Sequence, residues 1–382
     1  VETKKPGAII WHNTLFLVLS PIIGIALTIY HLKTAGFIPG IWIAALIFYY
    51  MTGMAITGGY HRLFSHKTYE ANKFVKFLYL VFGAAAFQNT ALDWCNDHRR
   101  HHQMCDTSDD PYNIREGFFH AHMKWVMVEA SYEPKKMVPD LEKDPLIMWQ
   151  QKYYLPIGII TGFVIPTIIG YFLGSAIGGF AVIATLRTVL VHHCTFFINS
   201  WAHMWGKQTY TDTNTARDNF YLALFSYGEG YHNFHHFFQY DFRNGVKWFQ
   251  FDPTKWMILT LSKIGWTWKL KRVADEEICR AELNMQEKRV ASQIKRHSPA
   301  ADAFHQKIAQ MKASMDLKLA NMQALKKEYQ RASELLKAEK SLALKQRKLE
   351  LKAHIAEAKR EWRETYDQWQ TLLSNWRAYS MA

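Results

Sequence analysis

From Tyr153 to Leu186 the chain runs 34 residues without a charged side chain. A run like this suits lipid rather than a water-facing surface, and it is too long for one bilayer crossing, which takes about 20 helical residues. Its middle, Gly170–Gly179 (G-Y-F-L-G-S-A-I-G-G), offers a tight turn. Two spans are therefore expected here, at about 154–172 and 176–197. The uncharged stretches Ile9–Tyr30 and Pro39–Tyr60 predict two more, at about 9–30 and 39–60. The first is too long for a cleaved signal peptide, and His31 and Lys33 follow it. Backbone polar groups in lipid must pair within the segment, so the expected class is all-α and integral to the membrane.

The loops set the expected orientation. Lys4 and Lys5 precede the first span, and His61–Lys152 is rich in Lys and Arg. The one-to-two turn holds only Lys33, and the three-to-four turn holds no charge. Positive charge inside puts both termini and the long segment in the cytoplasm. Arg187 lies within the fourth span, where exposure to lipid costs at least about 2.5 kcal/mol, so a structural arginine is expected, snorkelling or paired.

Composition matters because its average hides a boundary. The 382 residues are 49% hydrophobic with a net charge of +13. Residues 271–382 alone hold 23 Lys+Arg against 15 Asp+Glu. Two domains are expected: a membrane domain over 1–272 and a charged helical, coiled-coil tail over 273–382. Ser298 and Pro299 read as an N-cap and first helical residue. Phe304, Ile308, Met311, Met315, Met322, Leu325 and Tyr329 then fall mostly at three- and four-residue steps. So do Leu351, Ile355, Ala358, Trp362, Tyr366, Trp369, Leu373 and Trp376. Such a tail is expected to fold back on a neighbour or on a second copy, which makes self-association a possible role. Its charges alternate in sign, which argues against a nucleic-acid partner. Four cysteines with no C-x-x-C exclude a disulfide scaffold. Val1 is not an initiator, so the native start is expected elsewhere.

Half of the 18 histidines fall into tight clusters. H-R-L-F-S-H gives His61 and His66. H-R-R-H-H gives His98, His101 and His102. N-S-W-A-H gives Asn199 and His203. H-N-F-H-H gives His232, His235 and His236. In H-x-x-H-H on a helix, all three rings project from one face. Five residues turn a helix roughly 500°, so His61 and His66 converge only if the helix ends between them, near Tyr60. All the clusters lie on the same expected side of the membrane. Nine imidazoles exceed the four ligands of one zinc and suit two metals, and spacing does not name the element. Asp97, Asp106, Asp110, Glu229 and Asp241 are candidate partners for ring N–H groups. His120, His122, His192 and His193 read as structural, and Cys95 and Cys105 are not needed as ligands.

The motifs G-G-Y-H-R-L-F-S-H, F-Q-N-T-A-L-D-W-C-N-D-H-R-R-H-H, I-N-S-W-A-H-M-W-G and G-E-G-Y-H-N-F-H-H resemble the integral-membrane fatty acid desaturases, most closely the delta-9 acyl-CoA (stearoyl-CoA desaturase-like) branch, over about residues 10–270. The resemblance implies four spans under a cytoplasmic helical cap holding two Fe2+ ions. It implies His61, His66, His98, His102 and His236 on one iron. The other takes His101, His203, His232 and His235, with Asn199 holding a water. It implies dioxygen-dependent insertion of a cis double bond into a saturated acyl chain of sixteen to eighteen carbons. Gln88, Trp94 and Thr195 would line the bend of an acyl tunnel, Tyr49 and Gly53 its closed end, and Asn89 and Asp97 the headgroup.

The departures bear on the carrier. Asn96 and Glu129 stand where animal acyl-CoA desaturases carry arginines, and Phe196 replaces a tryptophan. Lys124, Lys135 and Lys136 are candidates to compensate. Acyl-CoA leads, with a phospholipid-linked chain or acyl-carrier protein as alternatives. No H-P-G-G haem segment or nucleotide fingerprint occurs, so electrons are expected from a separate ferredoxin-like or cytochrome donor with its reductase. With no ER-retrieval ending, a bacterial inner (cytoplasmic) membrane is expected. A hydroxylase or alkane monooxygenase on the same scaffold is the first rival. A non-catalytic membrane adaptor is the second.

Overall fold

A computed structural model of the chain describes residues 7–130, 136–293 and 299–375. Lys4, Lys5, Lys135, Ser298 and Trp376 lie outside them. The chain divides into two compact units, Val1–Gln208 with Asp212–Arg272, and Val273–Ala382 with Thr209–Thr211.

In the first unit, four helices among the described residues are long and apolar enough to cross a membrane: Trp11–Ala35, Pro39–Ser65, Pro145–Phe172 and Ala176–His203. Their exposed side chains include Ile22, Ile25, Ile43, Leu46, Ile168 and Phe172, as a lipid-facing surface requires. The helices outrun the expected spans because charge ends a crossing but not a helix. The third bends at Tyr153 (φ −110°, ψ 21°), which separates its polar start from its apolar length. The turn to the fourth uses Gly174 at φ 102°, and Ser175 N–H bonds to Gly170 O at 2.8 Å. A Cβ on Gly170 would lie 2.3 Å from Gly179 Cα, so the two helices can meet there only through glycine.

Three spans loosen from α to i→i+5 bonding, over Ala55–Ser65, Ile160–Val164 and Gly179–Leu186. Arg187 follows the last of these and is almost wholly buried. It does not snorkel, and among the described residues it pairs with no carboxylate. It donates to three backbone carbonyls: Ala85 at 2.7 Å, Gly162 at 3.0 Å and Ile183 at 3.2 Å.

Beyond the spans, Asn72 caps the helix Lys73–Ala84 and Thr90 caps the helix Ala91–Met104 through their side-chain oxygens. The second of these carries His98, His101 and His102. A short helix, His232–Phe237, carries the last box. Glu70–Ala71 pairs antiparallel with Thr267–Trp268 and ties the chain's return to the end of the second span. Buried Arg62 bridges Glu229 (2.9 Å) and Asp252 (3.1 Å) and donates to Phe242 O, so the loop before the last box is fixed to the second span.

The second unit consists of the helices Asp275–Gln293, Pro299–Ala338 and Leu342–Ser374. Its core gathers Leu283, Val290, Phe304, Ile308, Met315, Leu319, Met322, Ala358, Trp369 and Leu372. Met311, Leu325, Trp362, Tyr366 and Leu373 pack against that core, half-buried. Trp369 donates to Gln286 at 2.7 Å, and Arg280–Asp316 (3.0 Å) and Lys326–Glu276 lace the helices together. The apolar seam read from the sequence is thus filled by the chain itself.

Candidate metal centre

The first feature to explain is how His61 and His66 meet. The helix does not end between them, as the sequence reading required. It widens, and His66 N–H bonds to His61 O, five residues back, at 3.1 Å. That bond brings residues five apart onto one face, and the two rings lie 4.9 Å apart. Widened turns of this kind recur at functional sites.

The nine rings gather in two sets, each with its candidate ligand atoms within 4.8 Å of one another. One holds His61, His66, His98, His102 and His235. The other holds His101, His203, His232 and His236. This corrects the expected partition, which put His236 with the first set and His235 with the second. Helical spacing gives the reason. Residues four apart differ by about 40° in direction and residues three apart by about 60° the other way. His98 and His102 therefore go together, as do His232 and His236. The residue at the third step, His101 or His235, reaches the opposite set.

The outer nitrogens are held. His61 Nδ1 meets Glu229 at 2.9 Å, and His101 Nδ1 meets Asp110 at 2.8 Å. His203 Nδ1 donates to Thr215 Oγ1 at 2.8 Å, and Thr215 passes its own hydrogen to Asp106 at 2.6 Å. His98 Nδ1 lies 3.2 Å from the Tyr112 hydroxyl. Burial raises the Glu229 carboxyl, but His61 and Arg62 outweigh it and hold Glu229 below its ordinary range. His101 outweighs burial at Asp110 in the same way. Both are ionised acceptors. Burial, with the neighbouring rings adding to it, pushes His66, His98, His102, His232, His235 and His236 well below the ordinary imidazole value. These rings are neutral at neutral pH.

The inner nitrogens then make a specific problem. A neutral ring that donates its Nδ1 hydrogen to such a partner points a bare Nε2 lone pair inward, and His61, His101 and His203 all face such partners. In the second set, Nε2 atoms run His101–His236–His232–His203 at 3.2, 3.0 and 3.0 Å. On neutral rings the two ends require hydrogens on both His236 and His232, which then collide. In the first set, His235 Nε2 sits 2.9 Å from both His61 and His102 and has one hydrogen to offer. No proton placement on neutral rings satisfies either chain. Lone pairs turned on a common cation satisfy both, so the residues fit a bound metal in each set.

Beside the rings lies a cavity of about 580 Å³. His61, His98, His101 and His232 line it, with Trp94, Gln88, Thr195, Asn89, Asp97 and Asn199. Gln88 donates to Thr195 at 2.9 Å, and Trp94 stacks on His98 at 4.9 Å. Burial, with Asp93 close by, pushes the Asp97 carboxyl up to about 7.

The sequence of the chain matches the fatty acid desaturase family over residues 37–268. The chain belongs to that family. It is 42% identical over 241 residues to a probable acyl-CoA desaturase of Schizosaccharomyces pombe, covering 62% of this chain and 50% of the relative. It is 36% identical to acyl-CoA desaturase 1 of Saccharomyces cerevisiae over 286 residues, 73% and 55% of the two chains. With the acyl-CoA Delta-9 desaturase of Acheta domesticus it shares 35% identity over 288 residues, 71% of this chain and 79% of the relative. It spans about half the length of the two yeast relatives. Family membership and four membrane-capable helices make it an integral membrane protein.

Tyr49 and Gly53, expected at the closed end of the family's acyl tunnel, do not line this cavity. Tyr49 instead bonds to Phe225 O at 2.5 Å and touches Cys194 Sγ at 3.2 Å. Buried Tyr227 lies against Gly53, where an added Cβ would come within 1.9 Å of its ring. Of the proposed ring partners, Glu229 and Asp110 touch histidines and Asp106 acts through Thr215. Asp241 pairs with Arg243 at 2.7 Å instead. Asn96 accepts from Met137 N–H, which pins the segment carrying Lys136. His122 joins Ser200 and His193, both at 3.0 Å, and His192 bonds to Ala86 O at 2.7 Å; these rings stay outside both sets. Thr215, Tyr112 and Tyr227 were missed from the sequence. The only hint lay at Tyr227, just before the G-E-G of the last motif.

Proposed function

We propose that this family member is a di-iron acyl desaturase. It takes a saturated acyl chain of sixteen to eighteen carbons, carried on coenzyme A, and forms a cis double bond between carbons nine and ten. The observation that carries this reading is the pair of imidazole sets, each with two rings on the wall of one mostly apolar cavity. The names of the relatives, acyl-CoA and Delta-9 desaturases, support the substrate and the position.

His61, His66, His98, His102 and His235 would hold one iron, and His101, His203, His232 and His236 the other. Asn199, on the cavity wall, would hold a water beside the second set. When bound, the irons supply the dioxygen chemistry that removes two hydrogens from adjacent methylenes. The chain does the rest. Methylenes offer no hydrogen-bonding handle, so position along the acyl chain must be set by shape. Gln88, Thr195 and Trp94 set the bend opposite His98. Asn89 and Asp97 meet the polar end. The cavity reaches Ile56 and Thr57, one turn from Gly53, and Glu229, two residues from Tyr227. Tyr227, packed on Gly53 and bonded to Tyr49 O at 3.2 Å, would close that end together with the Tyr49 and Gly53 of the family pattern. Tyr227→Gly, which suits a backbone at φ 58°, is expected to shift preference toward longer chains by about tenfold, read from product length. Tyr49→Ala is expected to shift it less.

The relatives named above are eukaryotic and give the expected bacterial membrane no support. The proposal keeps only the sidedness: the histidine end on the face with the lysine- and arginine-rich segment. The test is to incubate iron-loaded protein with a reductant system and saturated thioesters, then locate the product by mass spectrometry. An alkene at carbons nine and ten is expected. An alcohol would establish the hydroxylase rival, and no product with any acyl carrier would favour the adaptor.

A further inference from the structure

The first histidine set has a second approach. A cleft of about 420 Å³ opens against His66 and His102 and is lined also by Lys67, Arg99, Tyr240 and Lys271. It shares no lining residue with the acyl cavity. The two differ in charge. Among the described residues, the cavity wall holds Asp97 and Glu229 and no Lys or Arg, and the cleft wall holds three cations and no carboxylate. Asp140 behind it pairs with Arg99 at 2.6 Å and Lys67 at 2.7 Å, one negative charge against three positive. Lys67 sits in the left-handed region at φ 52°, a conformation non-glycine residues adopt at some cost. Tyr240, largely exposed, lies under the Lys271 ammonium, 5.8 Å from it. From this cleft the middle of the first set is one imidazole ring away, across His66 or His102: His66 Nε2 faces His98 at 2.8 Å, and His102 Nε2 faces His235 at 2.9 Å.

We propose that this cleft is the electron port, where a small iron protein with an acidic face docks on Lys67, Arg99 and Lys271 and delivers electrons past the edges of His66 and His102. The proposal rests on the desaturase reading, whose balance calls for a donor. Forming one C=C from two C–H bonds releases two electrons and two protons. Reducing dioxygen to two waters consumes four of each. Two electrons must come from outside, one from each of two reduced donor molecules that leave oxidised, and two protons come from solvent. The separation of charge lets donor and acyl chain bind at once.

The test uses full-length protein in detergent, with Lys67→Glu and Lys271→Glu combined. The probes are a plant-type [2Fe–2S] ferredoxin and a soluble acidic b-type cytochrome. Binding of each oxidised probe to metal-free protein is measured against salt, so this readout does not depend on iron. The wild type is expected to bind one probe, more weakly as salt rises. The double variant is expected to bind it about tenfold more weakly at low salt, with a flattened salt dependence. Lys263→Glu, away from the cleft, should bind as wild type. In iron-loaded protein, the cationic methyl viologen radical should reduce the double variant at least as fast as wild type. A double variant that binds as wild type, or a wild type that binds neither probe, overturns the port. Failure of viologen to reduce wild type would instead count against the iron reading, with the binding result still deciding the cleft.

Discussion

The first imidazole set draws His61 and His66 from a widened turn of a span, and the carboxylate behind it belongs to the core. Glu229 holds His61 while Arg62 and Asn244 hold Glu229, the latter at 2.6 Å. The second set has four rings, and its supports stand on loops. Asp110 stands nine residues from His101, and Thr215 links His203 to Asp106 in a neighbouring loop. The lesson is that one set is braced by the fold and the other by two loops. Damage to the first should spread into stability, and damage to the second should stay near the metal.

The strongest way to break this comparison is at the adjacent pair that divides between the sets. His235→Ala and His236→Ala are each expected to lower turnover at least about a thousandfold while the protein still inserts. Metal analysis should find one ion lost in each case. X-ray absorption should find the four-imidazole site surviving in the first variant and the five-imidazole site in the second. Loss of the same ion in both variants would end the partition. A smaller effect is expected at the carboxylates. Glu229→Gln and Asp110→Asn should each weaken metal binding about 10- to 100-fold by equilibrium titration. Glu229→Gln should also lower the unfolding temperature by several degrees, because Arg62 keeps only part of its buried partnership. Asp110→Asn should leave that temperature nearly unchanged. Equal thermal losses would erase the distinction between fold-borne and loop-borne support. The mildest change is Thr215→Val, expected to cost a few-fold in affinity at the second set alone.

Much of this is legible in the sequence. Charge marked where lipid ends, so the four crossings could be read. Ring spacing marked the boxes, and the i, i+4 arithmetic that divides them was available in His98 and His102. The same arithmetic holds for His232 and His236, against the pairing that the family pattern implies. The widened turn at Ala55–Ser65 could not be read, because Gly58 and Gly59 in an apolar run carry no signal for i→i+5 bonding. Thr215 supports a ring 12 residues away and a carboxylate 109 residues away, a contact made by loop packing alone. The tail shows the same limit. Its seam was visible, but what filled it depended on where Glu339–Ser341 turned the chain back.

Arg187 has a consequence for how the protein is made. Its guanidinium is satisfied by carbonyls of Ala85 and Gly162, which lie on segments synthesised before it. During biogenesis the fourth span meets the lipid with a cation near its middle, at a cost of several kcal/mol until those acceptors are beside it. The order of synthesis supplies them in time. A chain whose third span is deleted or delayed should therefore stall at membrane integration rather than merely fold badly.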